Sequence, residues 1–339
     1  MRSTKSFTTR SGRASRAASS VLRGAVRQAL AVILLAAFAA LPLAGAPRSA
    51  SAHDPEAQPV THDRAEHGSL ADISRKLSDP TSNVWALFTE FDLSFSDGDV
   101  NTGDPKVGGD MNFQPILPIP LYGEGKDQWK IIARPSIPVI FSEPVPRKDF
   151  NRFNHIGGLG DITLPLVLAS PAEMVGKNWL LGLGPTFLFP TATNDALGRE
   201  QFGIGPAGVL GYKTKQFTVG VFPQYFFKVG SIDNQAGKPD ASFGNFLYFA
   251  YWNLPDAWQV GMNPVITYDD KATKGNKWNV PLGLMVTKTT AVGKRPVKFQ
   301  LGFEYSVVSQ DDFGKRFMIK LNVIPVIQGL VKNPIFGGN

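Results

Sequence analysis

The run WALFTEFDLSF at Trp85–Phe95 puts Trp85, Leu87, Phe91, Leu93 and Phe95 on one side of an extended chain and Ala86, Phe88, Glu90, Asp92 and Ser94 on the other. Side chains of a strand alternate between two faces, whereas a helix would need apolar spacings of three and four. One face of this segment is therefore oily and the other mostly polar. The pattern continues downstream, with Met111, Phe113, Leu117 and Ile119 set against Asn112 and Gln114, then Trp129, Ile131, Ile137, Val139 and Phe141 set against Lys130, Arg134 and Ser136. Twelve such segments are countable, centred near residues 89, 115, 135, 164, 184, 207, 222, 247, 262, 284, 302 and 321. Each is about ten to fourteen residues long, the length a tilted strand needs to cross a membrane.

Alternation alone also fits a soluble sandwich or a lipocalin-like barrel. Loop length separates these. Connections after odd-numbered segments are long (96–109, 142–158, 191–201, 230–242), and those after even-numbered segments are short (122–127, 213–216, 253–257, 290–295). An up-and-down transmembrane antiparallel β-barrel of about 12 strands produces this asymmetry, with short turns in the periplasm and long loops outside. Tryptophan agrees, because indole prefers the level of lipid headgroups. Trp85, Trp129, Trp179 and Trp258 each open an odd-numbered segment, and Trp252 closes an even-numbered one, which predicts a girdle at the periplasmic rim. Trp278 falls at the outer rim, where Tyr212 and Tyr268 are expected to join it.

Upstream of the barrel, residues 1–52 read as a signal peptide. Arg2, Lys5, Arg10, Arg13, Arg16, Arg23 and Arg27 precede the apolar run LAVILLAAFAALPLAG, and Ala50-Ser51-Ala52 is an A-x-A cleavage site. That leader holds eight of the 35 Lys and Arg and none of the 28 Asp and Glu, so the remainder carries 27 − 28, a net charge of −1. The overall basic balance therefore implies no nucleic-acid partner. Cysteine is absent, which excludes disulfides, thiolate metal sites and a Cys nucleophile. Residues 53–80 form a polar lead-in ending in a short N-terminal helix, capped by Ser69, with Leu70, Ile73 and Leu77 on one face before Asp79-Pro80 ends it. This helix is expected in the periplasm or plugging the barrel mouth. The barrel occupies 81–327 and a tail 328–339, in which Phe336 is either a displaced terminal aromatic or part of a disordered end.

Eleven prolines conflict with regular strands: Pro115, Pro118, Pro135, Pro138, Pro165, Pro185, Pro206, Pro223, Pro264, Pro281 and Pro325. Each removes a ladder donor, tolerable at a rim, a bulge or facing a wet lumen.

GLGDI at Gly158–Ile162, GPTFLFPTATNDALG at Gly184–Gly198, FGIGPAG at Phe202–Gly208, WNVPLGLMVTK at Trp278–Lys288 and LSDPTSNVWAL from Leu77 resemble the outer-membrane transporter family named for the MetA pathway of phenol degradation, over roughly residues 70–327. The resemblance implies an outer-membrane barrel with a transport role, and makes the strand prolines a family trait. It does not imply that phenol is the solute.

If the oily face meets lipid, the interior receives Glu90, Asp92, Asp161 and Glu304 with Lys130, Arg134, Lys228, Lys298, Arg316 and Lys320, and neutral Asn112, Gln114, Gln224, Gln259, Asn263, Asn279, Gln300 and Asn322. Such a lining either surrounds an aqueous path or pairs into a network that fills it. The expected function is a porin-like Gram-negative outer-membrane channel or transporter for small solutes, hydrophobic or aromatic ones among them, in contact with outer-membrane lipid and lipopolysaccharide. A structural or assembly barrel with a plugged lumen is the alternative, and a lipid hydrolase a more distant one. No catalytic residue, metal centre or cofactor is expected. His53, His62 and His67 lie in the lead-in, where wrapping of a Zn or Cu ion is conceivable but no ordered shell is suggested, and His155 in an outer loop has no serine near it in sequence. Asp269-Asp270 and Asp311-Asp312 read as solvated outer-loop charge, and the glycines of GLGDI and FGIGPAG as bends, since no P-loop Lys follows.

Overall fold

A computed structural model describes residues 69–147, 152–232 and 238–336. The expected leader and its cleavage site, the three lead-in histidines and the last three residues lie outside this range. Helix α1 (Leu70–Leu77) begins at Ser69, whose hydroxyl accepts from the Asp72 N–H while Asp72 reaches back, a capping box. Fifteen strand segments follow among the described residues: β1 (Ala86–Asp97), β2 (Lys106–Tyr122), β3 (Trp129–Ala133), β4 (Ile137–Pro146), β5 (Phe153–Leu159), β6 (Ile162–Ala169), β7 (Trp179–Phe189), β8 (Gln201–Lys213), β9 (Phe217–Ser231), β10 (Ser242–Asn253), β11 (Trp258–Met262), β12 (Val265–Asp269), β13 (Trp278–Val292), β14 (Arg295–Val308) and β15 (Gly314–Pro325). A short helix, α2 (Ala172–Val175), sits in the turn before β7.

Three pairs of segments are halves of single broken strands, namely β3 with β4, β5 with β6, and β11 with β12, so the barrel has twelve strands. Neighbours pair antiparallel, and β1 pairs with both β2 and β15, which closes the sheet and leaves no end edges. Pro135 and Pro264 stand in two of the breaks, Gly160-Asp161 in the third. The turns at one end are short, such as Gly293–Lys294, and the loops at the other are longer, such as 190–200 and 270–277. The contrast is weaker than the sequence suggests, because β1, β2, β4 and β5 continue pairing into stretches expected to be loops. Backbone groups that can pair do so even beyond the apolar belt.

The prolines have a specific accommodation in the wall formed by β6 to β9. Pro185 lies opposite Pro206 across the β7–β8 ladder. The β6–β7 register skips between Pro165↔Thr186 and Leu168↔Leu183, and the β8–β9 register skips between Ile204↔Phe227 and Ala207↔Gln224, where the missing donors would have pointed. At the same level Gly184 and Gly205 let adjacent backbones close in. A Cβ on Gly184 would stand 1.9 Å from the Leu166 carbonyl oxygen, and one on Gly205 would stand 1.9 Å from that of Tyr225.

Candidate functional site: the barrel interior and its plug

Register decides which residues face inward, because partners directly opposite each other share a face. Glu90 pairs with Asn112 and Asn322, Asp92 with Asp110 and Lys320, Gln300 with Asn322, and Lys298 with Ile324, which places all of them on one surface. That surface is the interior: Lys298, Gln300, Glu304, Lys320 and Asn322 are buried, while Leu301, Phe303, Tyr305 and Leu284 on the alternate positions are exposed.

The interior has two unlike walls. Along β1, β2, β14 and β15 runs a charged belt in which Lys320 Nζ lies 3.2 Å from Glu90 and 3.1 Å from Glu304. Lys315 Nζ lies 3.4 Å from Asp110. The Asn322 amide donates to Gln300 at 2.9 Å, and Ser136 donates to Asn112 at 2.9 Å. Opposite, the inward positions of β6 to β10 and β13 carry a continuous apolar cluster of Val167, Leu180, Ala207, Val209, Phe222, Phe249, Tyr251 and Met285. Arg134 stands beside the belt, its guanidinium 5.1 Å from the centre of the Phe88 ring on β1. Alternation predicts which positions face inward; it does not predict that half of those positions would be apolar.

Helix α1 occupies the short-turn end of this interior. Ile73 packs with Val84 and Val326, and Leu77 packs against the cluster of Ala86, Phe88 and Ile324. Polar contacts fix its C-terminal end. Lys298 is fully buried and donates to Ser78 Oγ at 2.7 Å and toward the Ser74 carbonyl at 3.5 Å, with the Tyr251 ring 4.8 Å away. A cation at a helix C-terminus meets the negative end of the helix dipole, which gives this otherwise costly buried charge a partner. Ser78 also donates to Gln259 at 3.0 Å, Gln259 accepts from Thr287 at 3.2 Å, and Asp79 pairs with Lys213. Lys130 donates to Asn83 just beyond.

The hydroxyl of Ser69 donating to Asp72 holds that carboxyl below its ordinary 3.8; burial opposes this and Arg75 adds to it. A depressed carboxyl stabilises the folded form at pH above its unfolded value and loses that contribution as pH falls through the folded one. The first turn of α1 therefore loses stability on acidification below the ordinary carboxylate range. Cleavage of α1 by an acid-active protease should become easier as pH is lowered, and Asp72→Asn should flatten that dependence.

Four expected placements need correction. Arg316 is left unpaired at a bulge where Phe95 pairs with Phe317 and Ser96 with Lys315, so Lys315 takes the inward position and Arg316 joins Tyr305 in a groove beneath the Asp97–Gly103 loop. Asp161 accepts from the Ala192 and Arg199 backbone N–H groups at 3.1 and 2.6 Å, bracing an outer loop and not lining the interior. Trp85 is only 7% exposed, with Gly329 of the C-terminal segment against its ring, so it does not stand at a lipid-facing rim. Tyr212 stacks edge-on with Trp179 at 5.2 Å, at the short-turn rim and not the outer one.

The remaining rim aromatics are exposed: Trp179, Trp252 and Trp258 at the short-turn end and Trp278 at the other, 4.4 Å from Tyr268, while Trp129 is half-buried where it opens β3. Lys228 sits near the outer end, paired with Asp240 at 2.7 Å. Gln224 accepts from Thr186 at 3.1 Å, Gln114 lies opposite Phe88, and Asn279 donates to Ser306 at 3.0 Å. Asn263 is buried at the β11–β12 break with its Oδ1 unpartnered. The tail is tied down, with Ile335 and Phe336 N–H groups bonded to Pro120 and Leu121.

His155 has a serine beside it after all: the β4–β5 bulge brings Ser142 Oγ to 2.8 Å from His155 Nδ1. Among the described residues the ring makes no second hydrogen bond. Among the described residues no group of three or more His, Asp or Glu side chains could hold a metal, and no helix is long and apolar enough to cross a membrane.

No known sequence family matches the chain, and neither does any curated protein sequence. The fold has solved counterparts. The COG4313 outer membrane channel from Pseudomonas putida F1 aligns with a TM-score of 0.51 at 13% identity, covering 72% of this chain and 96% of that one. The barrel shares that architecture. The NanC porin (TM-score 0.42, 9% identity, 72% and 99% covered) and the CymD monoaromatic hydrocarbon channel (TM-score 0.34, 9% identity, 80% and 94% covered) also align, more loosely.

Proposed function

We propose that the protein, after removal of residues 1–52, is an outer-membrane channel that admits small solutes with apolar or aromatic surface, gated at the periplasmic end by helix α1. The likeness to the COG4313 channel supports the barrel architecture and is compatible with the MetA-pathway resemblance. Membrane placement rests on the outward face, where Leu183, Leu210, Val221, Leu284, Leu301 and Phe303 are all exposed. An exposed apolar surface of this extent is stable only against hydrocarbon, and aromatic residues at both rims suit the headgroup level. Lipid and lipopolysaccharide are then the surrounding partners.

The observation that carries the solute class is the two-walled interior. A lining of Val209, Phe222, Phe249 and Met285 facing Glu90, Lys320 and Gln300 offers a transient contact surface to an apolar body and a wet side to a polar group. A uniformly polar lumen would instead favour sugars or ions. The seated helix favours the second reading, a structural barrel with a closed lumen. Purified protein in liposomes separates them: swelling in a small aromatic alcohol faster than in an equal-sized sugar is expected, and protein that releases no trapped solute and carries no single-channel current in planar bilayers would leave only the structural reading.

A further inference from the structure

The outer mouth is crossed by a single residue. In the closed ring of twelve strands, Asp161 stands in the break of the fourth and Asp269 ends the ninth, five strands apart and one short of diametrically opposite. Arg199, in the segment between β7 and β8, touches both: its backbone N–H donates to Asp161 at 2.6 Å, and its guanidinium pairs with Asp269 at 2.6 Å. Two walls that the ladder keeps five strands apart are joined through one side chain, which places residues 190–200 over the opening and not beside it.

The two attachments differ in kind. On the β5–β6 side the Thr193 N–H donates to the Leu159 carbonyl at 3.1 Å, and the Thr193 hydroxyl accepts from the Leu159 N–H at 3.0 Å. Ala192 donates to Asp161 at 3.1 Å, and a Cβ on Gly198 would stand 2.6 Å from the same carboxylate. On the far side the segment is held by side chains: the partly exposed Arg199–Asp269 pair, the Arg199 guanidinium 4.2 Å from the centre of the Phe243 ring, and Lys238, which donates to the carbonyls of Asp195 and Gly198 at 2.8 and 3.1 Å. Ion pairs and ring contacts with partial access to water are weak enough to break and re-form while the ladders stay intact. Phe243 lies opposite Phe226 and stacks on it at 4.8 Å, against the buried cluster of Leu188, Phe226 and Ala241 at the head of the interior.

We infer that residues 190–200 form a strap across the outer mouth, closed by Arg199, and that Arg199 decides which solutes enter. The selection half rests on the channel reading; the strap and its release do not. With α1 seated at the other end, the interior is then closed at both ends at rest. When the guanidinium leaves Phe243, a ring face is uncovered at the threshold. An aromatic solute covers that face in its place and so stabilises the released strap, whereas a sugar of equal size offers the ring less and leaves Arg199 to rebind.

Two measurements on the full barrel test this. The chain has no cysteine, so Gln224→Cys, one inward position deeper than Phe226 on β9, places a single thiol behind the strap. A hydrophilic maleimide should label that thiol several-fold faster when Arg199→Ala is added. Asp269→Asn should act in the same direction but less, since it removes the ion pair and leaves the ring contact. Both barrels should keep a compact band on unboiled gels, and equal labelling rates in them and in the Gln224→Cys parent overturn the inference. In liposome swelling, Arg199→Ala should speed the entry of a sugar several-fold and leave an equal-sized aromatic alcohol nearly unchanged, which narrows the preference between the two. Faster labelling with an unchanged preference overturns the part of Arg199 in selection and keeps the strap. Faster labelling in a barrel that admits neither solute, with or without Arg199, overturns the channel reading alone.

Discussion

Gly205→Val should prevent the barrel from folding. The inward Cβ would stand 1.9 Å from the Tyr225 carbonyl oxygen and 2.8 Å from its carbon, and both belong to the backbone of the neighbouring strand. Overpacking costs about 1–3 kcal/mol where side chains can rotate away. Here only the β8–β9 ladder can yield, and it is already interrupted beside Pro206, so relief means losing further hydrogen bonds in a wall where lipid offers no replacement. Heat-modifiability on gels reports the outcome: native protein should run as a compact band without boiling, and Gly205→Val should give none. Gly184→Val should behave alike, since its obstacle is the Leu166 carbonyl oxygen at the same distance of 1.9 Å. Gly103→Ala, where only the Lys106 ammonium approaches, at 3.7 Å, is the neutral control. A folded Gly205→Val barrel would mean that the strands do not approach as closely as described.

The second large effect should come from unseating the plug. Ile73 and Leu77 anchor α1 against Val84, Val326, Phe88 and Ile324. Burying such a side chain contributes about 1.5–3 kcal/mol, and a carboxylate in its place adds a desolvation cost on top. Ile73→Asp with Leu77→Asp therefore turns a favourable seat into an unfavourable one, while no strand ladder loses a partner. The barrel should keep its heat-modifiable band, α1 should become accessible to protease, and single-channel conductance should rise several-fold as water enters around Lys298. Unchanged conductance would show that the constriction lies elsewhere. Lys298→Met should act in the same direction but more weakly, because it removes the Ser78 and Ser74 contacts and leaves the apolar anchor in place.

What the chain alone determined is the part set by local geometry. Period-two alternation in WALFTEFDLSF and its successors dictates strands with an oily and a polar face; strand length, loop length and the rim tryptophans other than Trp85 follow from the same positions. Ser69 and the spacing of Ile73 and Leu77 likewise announced α1, because capping and helical period are read within a single turn. The inward positions of Glu90, Asp92, Glu304, Lys298 and Lys320 were legible for that reason. Tertiary structure decided whatever depends on a partner far along the chain. A one-residue bulge opposite Phe95 exchanged Arg316 for Lys315, and another between β4 and β5 set Ser142 against His155. The C-terminal segment covered Trp85, the two missing donors of Pro185 and Pro206 were matched to gaps in their outer ladders, and inward side chains from six separate strands assembled into one apolar wall. Register is a relation between strands, and shifting it by one residue turns every side chain to the other face, so no reading of one strand at a time can supply it.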